Sequence, residues 1–238
     1  MADQKWDLIV TMDDATNEHY AMQFVEEEGT RSSFQGVETV IRARGLFSAI
    51  YTDRGSHYWF TPEVGGKVDK RSPTQFGRAM QHLGIEMIAA YSPQARGRSE
   101  RAFRTHQERL VRELAAAGIT DMSAANHYLH TQYRATFNLE FAQPSLERGS
   151  AFVPLAGKDL KEILCEHFER QVGADNCVSF NNLKLQIPKQ RHRCHFVKTK
   201  VRVHRYLDDT LGIFHGPRCL ACYTAQGTLI EELERVAA

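Results

Sequence analysis

The sequence predicts an α/β fold over residues 1–140, a linker with a short helix over 141–176, and a small all-β, barrel-like module over 177–238. Three observations predict it. Short apolar runs alternate with stretches of helical period through Phe137, turn residues punctuate the switches, and beyond Cys177 the pattern changes to strict period-two alternation.

Taken in order, Leu8 to Met12 (LIVTM) and His19 to Val25 (HYAMQFV) read as a hairpin around the turn Asp13-Asp14-Ala15-Thr16-Asn17. Asp13 and Asp14 are better read as turn formers, bonding nearby backbone, than as ligands. Ser32 through Arg44 spaces Phe34, Val37, Val40 and Ile41 for a helix that Gly45 stops. The run Leu46, Phe47, Ala49, Ile50, Tyr51 is a buried strand that delivers Asp53 at its end, where Arg54-Gly55-Ser56 turns the chain away. A helix over Gln75–Leu83 ends at Gly84, and Ile85–Ala90 is another strand. Ser92-Pro93 and Gly97 then open a long amphipathic helix to about Ala117, with Glu100 in its first turns. Thr120–Phe137 continues as helix, and a further short helix is expected across Leu160–Arg170 after the loop-rich stretch holding Pro144, Gly149, Pro154 and Gly157.

The β module carries its own chemistry. From Asn181 to Tyr206 there are eight Lys or Arg and no Asp or Glu. Val197, Thr199, Val201 and Val203 alternate with Lys198, Lys200, Arg202 and His204, which predicts one core face and one cationic face. Lysines also guard sheet edges; the length of the acid-free run favours a DNA-backbone face.

The chain has 30 Lys plus Arg against 29 Asp plus Glu, so any nucleic-acid affinity must come from distribution, not net charge. Five cysteines, an odd number, argue against a disulfide framework and for a reducing compartment. No apolar run approaches the roughly 20 residues of a membrane span and no signal pattern is present. A soluble, cytoplasmic, nucleoid-associated protein without a membrane partner is expected.

Asp53 at a strand end and Glu100 on a helix are two oxygen donors of the kind that hold Mg²⁺ or Mn²⁺ for phosphodiester chemistry. Arg96, Arg98, Arg101, Arg104 and Arg109 crowd the loop and helix around Glu100, either as a solvated face or as phosphate contacts. His57, Tyr58 and Trp59 read as packing beneath the site in preference to base stacking. Cysteine and histidine cluster late: Cys165 and His167, His192-Arg193-Cys194-His195, His215, and Cys219-Leu-Ala-Cys222. A zinc site built from HRCH and C-x-x-C is disfavoured, because HRCH is expected to run into a strand whose alternate residues diverge.

The stretches YTDRGSHYW and YSPQARGRSERAFRTHQ resemble the second and third acidic motifs of the DDE transposase/integrase superfamily. The resemblance matches Asp53 to the second acid and Glu100 to the third, with TPEVGGKVDKRSP as a surface insertion between them. It implies a ribonuclease-H-like integrase core whose first strand, bearing the first catalytic Asp, is missing, since Leu8–Met12 aligns as the second strand and only MADQKW precedes it; Asp3 carries little weight. It further implies three carboxylates around two divalent ions, DNA as partner (transposon ends and target), homo-oligomers at full length, and a small β-barrel after the core. The chain is thus expected to be a transposase fragment, inactive alone. The rival readings are a non-catalytic DNA-binding remnant or regulator of a full-length transposase and, less favoured, a cellular nuclease on the same fold.

Overall fold

The structure, a computed structural model, describes residues 5–230 except 64, 92, 158 and 192, with backbone only at 93–96. Asp3, His192 and the side chain of Arg96 therefore lie outside the described residues. The chain divides into two compact units, Met1–Lys158 and Asp159–Ala238.

In the first unit β1 (Asp7–Met12) and β2 (His19–Val25) form the predicted antiparallel hairpin, with Leu8 opposite Phe24 and Val10 opposite Met22. Asp13 is the turn former expected: its carboxylate accepts from the Thr16 N–H and hydroxyl at 2.9 and 2.6 Å. One face of the hairpin (Leu8, Val10, Met22, Phe24) packs against Leu110 and Leu114 of α3 (Pro93–Ala116) and against the helical segment that follows. The opposite face meets α1 (Thr30–Arg44), which comes so close that a Cβ on Gly36 would stand 3.0 Å from Thr11 Oγ1. Phe34 of α1 stacks at 5.8 Å on Phe76 of α2 (Gln75–Leu83). β3 (Ala49–Thr52) runs parallel to β4 (Glu86–Ala89), in register from Ala49 with Glu86 to Thr52 with Ala89.

The single helix expected over Thr120–Phe137 is instead α4 (Met122–Tyr128), a π turn over Leu129–Tyr133, and α5 (Arg134–Phe141). The buried residues explain the interruption. Ala125, Leu129, Tyr133 and Phe137 recur every four positions, whereas three α turns span only about 10.8 residues. The π turn absorbs the surplus residue and keeps all four on the hairpin.

In the second unit the helix expected over Leu160–Arg170 shrinks to α6 (Leu160–Ile163), and β5 (Glu166–Gln171) follows. β5 pairs with β8 (Lys200–Arg205) over six residue pairs, which moves the division of the chain to 158/159 from the neighbourhood of Cys177. β6 (Cys177–Phe180) and β7 (Leu183–Gln186) make a hairpin. β9 (Leu211–His215), β10 (Arg218–Tyr223) and β11 (Leu229–Ile230) complete a sheet of order β11-β10-β9-β8-β5. Val178, Phe180, Leu185, Val201, Val203 and Ile213 from hairpin and sheet share one core. Two strand expectations are corrected. The middle strand begins at Lys200, because Lys198 sits at φ +60° in a turn, and the described residues 191 and 193–195 lie outside any strand, with only an isolated bridge from Arg193 to Gln190.

Candidate active site

Thr52 ends β3 and is nearly buried, with its hydroxyl oxygen accepting the indole N–H of buried Trp59 at 2.8 Å. That bond fixes the point at which Asp53 leaves the strand. The backbone N–H of Gly55 donates to Asp53 Oδ1 at 2.8 Å, so the carboxylate is oriented from its own turn. A Cβ on Gly55 would stand 3.0 Å from both Asp53 Oδ1 and His57 Cε1, which is why the turn takes glycine. Asp53 thereby sits just beyond the carboxyl end of a parallel strand pair, where open α/β sheets place their ligands.

Glu100 rides on α3, which is held to the hairpin by buried His106, Leu110 and Leu114. Asp53 and Glu100 line one cavity of about 800 Å³, together with Asp13, Asp14 and Arg98. Its walls have a regular plan. Residues 6–14 along β1 and 49–53 along β3 line it without a gap, Ser33, Val37 and Val40 of α1 cover it on one side, and Phe103, His106 and Leu110 of α3 on the other. Alternate side chains of a strand point to opposite faces, so uninterrupted lining means that the cavity follows the strand edges themselves. Among the described residues β1 pairs with β2 alone and β3 with β4 alone.

The neighbours of the two acids are largely structural. His57 lies 3.6 Å from Glu28 and against the ring of Tyr58 at 3.9 Å. Burial pushes the Tyr58 phenol up to about 12, and its oxygen accepts the Ser33 hydroxyl at 3.0 Å. Arg98 pairs with Asp14 at 3.3 Å, both well exposed, and Arg104 pairs with Glu108 one turn along α3. In the second unit Lys200 and Arg202 point to solvent, as expected, but His204 is buried. Acids also stand where the local sequence has none: Glu169 lies directly across from Arg202 and 3.5 Å from Lys200, and Glu166 pairs with Arg205. Sequence reasoning missed the buried contact of His106 with His19 at 3.0 Å, which braces the Glu100 helix; no local motif marks it.

No protein-family model matches the chain. Over 210 residues it is 33% identical to "Putative transposase y4bF" of Sinorhizobium fredii, a stretch covering 87% of this chain and 45% of that protein. Over 207 residues it is 29% identical to "Transposase for insertion sequence IS1202" of Streptococcus pneumoniae, covering 86% and 44%. Its curated homologues are transposases. The chain spans a little under half the length of these relatives. Among solved structures it is similar to a chain of the cryo-EM structure of a simian T-cell lymphotropic virus intasome in complex with a PP2A regulatory subunit. That match has 15% identity, a TM-score of 0.37, and covers 83% of this chain and 67% of the other.

The donor chemistry at the cavity fits a hard divalent cation, since two carboxylates from separate elements face one space. Among the described residues, the one Cys/His/Asp/Glu group of three close enough to hold an ion is Cys165, His167 and His204 in the other unit. No described helix is long and apolar enough to cross a membrane.

Proposed function

We propose that the first unit is the catalytic core of a DDE-type transposase, ribonuclease-H-like in form, and that the cavity between β1 and β3 is the place of one further strand. The observation that carries this reading is the lining of that cavity by consecutive residues along both strands, with Asp53 and Glu100 lining the same space. A strand entering there would complete both ladders and would bring the third carboxylate that the resemblance requires. The relatives' length beyond the matched stretch leaves room for such a segment.

Asp53 and Glu100 would hold Mg²⁺ or Mn²⁺, which supplies Lewis-acid activation of a water or 3′-hydroxyl and charge stabilisation at the leaving oxygen. The protein's own contribution is placement. The Gly55 N–H holds the Asp53 carboxylate in a fixed direction, the Trp59–Thr52 bond fixes the strand end, and the anchored α3 carries Glu100. Arg96, Arg98 and Arg104 on the same helix, and Lys198, Lys200 and Arg202 in the β module, would bind DNA phosphates without reading sequence. The active form would be a homo-oligomer on paired transposon ends, associated with the nucleoid.

The test is to produce the polypeptide at the full length of the relatives and assay Mg²⁺- or Mn²⁺-dependent cleavage and joining of the element's end DNA. Asp53→Asn and Glu100→Gln are each expected to abolish both steps while leaving DNA retention in a gel unchanged, and the 238-residue chain alone to be inactive. Cleavage by either variant at the parental rate would overturn the assignment. That no three ligand atoms lie close enough together at this cavity to hold an ion, among the described residues, also supports the second reading, a DNA-binding remnant. That reading predicts DNA retention without cleavage at every polypeptide length.

A further inference from the structure

The second unit contains a cluster that the transposition chemistry does not use. Cys165 directly precedes β5, His167 lies in β5, and His204 lies opposite His167 in β8. One potential ligand atom from each falls within 4.8 Å of the other two, and Cys165 and His204 are 1% and 4% exposed.

Hydrogen bonding decides which atoms face the centre. The Glu162 carboxylate can only accept, so His204 donates Nδ1–H to it at 2.8 Å, and its other oxygen accepts the Tyr206 hydroxyl at 2.6 Å. His204 Nε2 is then left as a lone pair, buried and without a hydrogen-bond partner. His167 Nε2 contacts the Glu162 carbonyl oxygen at 3.3 Å, which likewise only accepts, so Nε2 carries the proton in that bond. The His204 ring is clamped between His167 at 3.8 Å and Phe214 at 4.1 Å. A carboxylate bonded to the far nitrogen of an imidazole is how metal-ligating histidines are oriented and made more basic.

We infer that Cys165, His167 and His204 bind one Zn²⁺ ion, with Glu162 as the orienting carboxylate and water in the fourth position. A thiolate and two imidazoles select zinc over the hard cations of the carboxylate site. The size is close. The centre of a triangle with 4.8 Å sides lies about 2.8 Å from each corner, so shifts of well under 1 Å bring all three atoms to the roughly 2.0–2.3 Å of Zn–N and Zn–S bonds. The pair Cys219 and Cys222, with sulfurs 3.6 Å apart, stands outside the group. The ion would pin the start of β5, an edge strand of the sheet, to β8.

The test uses the whole 238-residue chain, stripped with chelator and reloaded with Zn²⁺, with bound metal measured by elemental analysis after desalting. One equivalent is expected, falling below a tenth in Cys165→Ser and in His167→Gln and unchanged in the Cys219→Ser/Cys222→Ser double variant. Co²⁺ titration of the unmutated chain gives a readout that does not depend on variant folding: tetrahedral d–d bands with a charge-transfer intensity for one thiolate are expected. An unmutated chain that takes up neither ion, a signal for two or more thiolates, metal retained in Cys165→Ser and His167→Gln, or metal lost in the double variant would each overturn the assignment.

Discussion

The Nε2 atoms of His106 and His19 lie 3.0 Å apart in the core of the first unit, at 2% and 1% exposure, and the groups around them fix which one donates. The Asn17 carbonyl accepts His19 Nδ1–H at 2.9 Å, so His19 Nε2 is an acceptor and His106 Nε2 must donate to it. His106 Nδ1 then accepts the Tyr133 hydroxyl at 2.9 Å. The result is a directed chain, Tyr133 to His106 to His19 to Asn17, joining the π turn, α3 and the hairpin with both imidazoles neutral.

This chain makes stability depend on pH. Burial, with His19 adding a smaller effect, pulls His106 down to about 4, and burial lowers His19 as well. With the folded value below the unfolded 6.5, the unfolded chain binds protons that the folded one refuses. The contribution is complete above pH 6.5 and is lost as pH falls toward 4, up to about 3 kcal/mol for His106. Urea unfolding at pH 7.5, 6, 5 and 4.5 checks it: the unmutated chain should lose stability faster than His106→Gln across that window, and parallel profiles would refute the claim. Tyr133→Phe should cost about 1–3 kcal/mol at pH 7.5 by leaving a buried acceptor unpaired.

Gly45 ends α1 at φ +103°, and a Cβ there would run into the Val153 carbonyl oxygen, whose residue bridges to Leu46. Gly45→Ala should therefore destabilise by about 2–4 kcal/mol. Gly84, also left-handed at φ +79° but with open space around it, should cost only about 1 kcal/mol on the same change. Thermal melts of the two variants side by side separate collision from backbone strain.

Lys200 and Arg202 point to solvent, although Glu169 stands close to both. If they meet phosphates, the double alanine variant should weaken DNA binding uniformly across sequences and reduce the slope of log K against log salt by about 2. An unchanged slope assigns them to the sheet alone.

Burial works against the charge of Glu162, but the bonds from His204 and Tyr206 outweigh it and hold the carboxyl below the usual range. Its contribution is present above the unfolded value of 4.5 and lost as pH falls below that. Glu162→Ala leaves the His204 and Tyr206 donors without their acceptor and should cost about 2–4 kcal/mol at neutral pH, read by urea unfolding.

The legible parts of the molecule are those specified by neighbouring residues. Phe34, Val37, Val40 and Ile41 wrote out α1, Gly84 its left-handed stop for α2, and the turn after Tyr51 the position of Asp53. β5 was illegible because EHFERQ has the charge pattern of a solvated helix, and it becomes a strand through pairing with β8, whose partner residues lie 29 to 39 positions away. Lys198 carries no signal for its left-handed backbone. The acids beside Lys200, Arg202 and Arg205 come from that same misread strand. The strand-end place of Asp53 and the helical place of Glu100 were readable one by one, but the cavity they share depends on how β1 and β3 are spaced, which no periodicity encodes.

Among the described residues β1 pairs only with β2 and β3 only with β4, and the cavity that both line has largely apolar walls. Such a surface is adhesive toward any extended peptide, including one from a neighbouring copy. On the proposed reading, a strand that fills it would act as a solubility device as well as a carrier of chemistry, and supplying it during synthesis would keep the polypeptide from fibrous self-association.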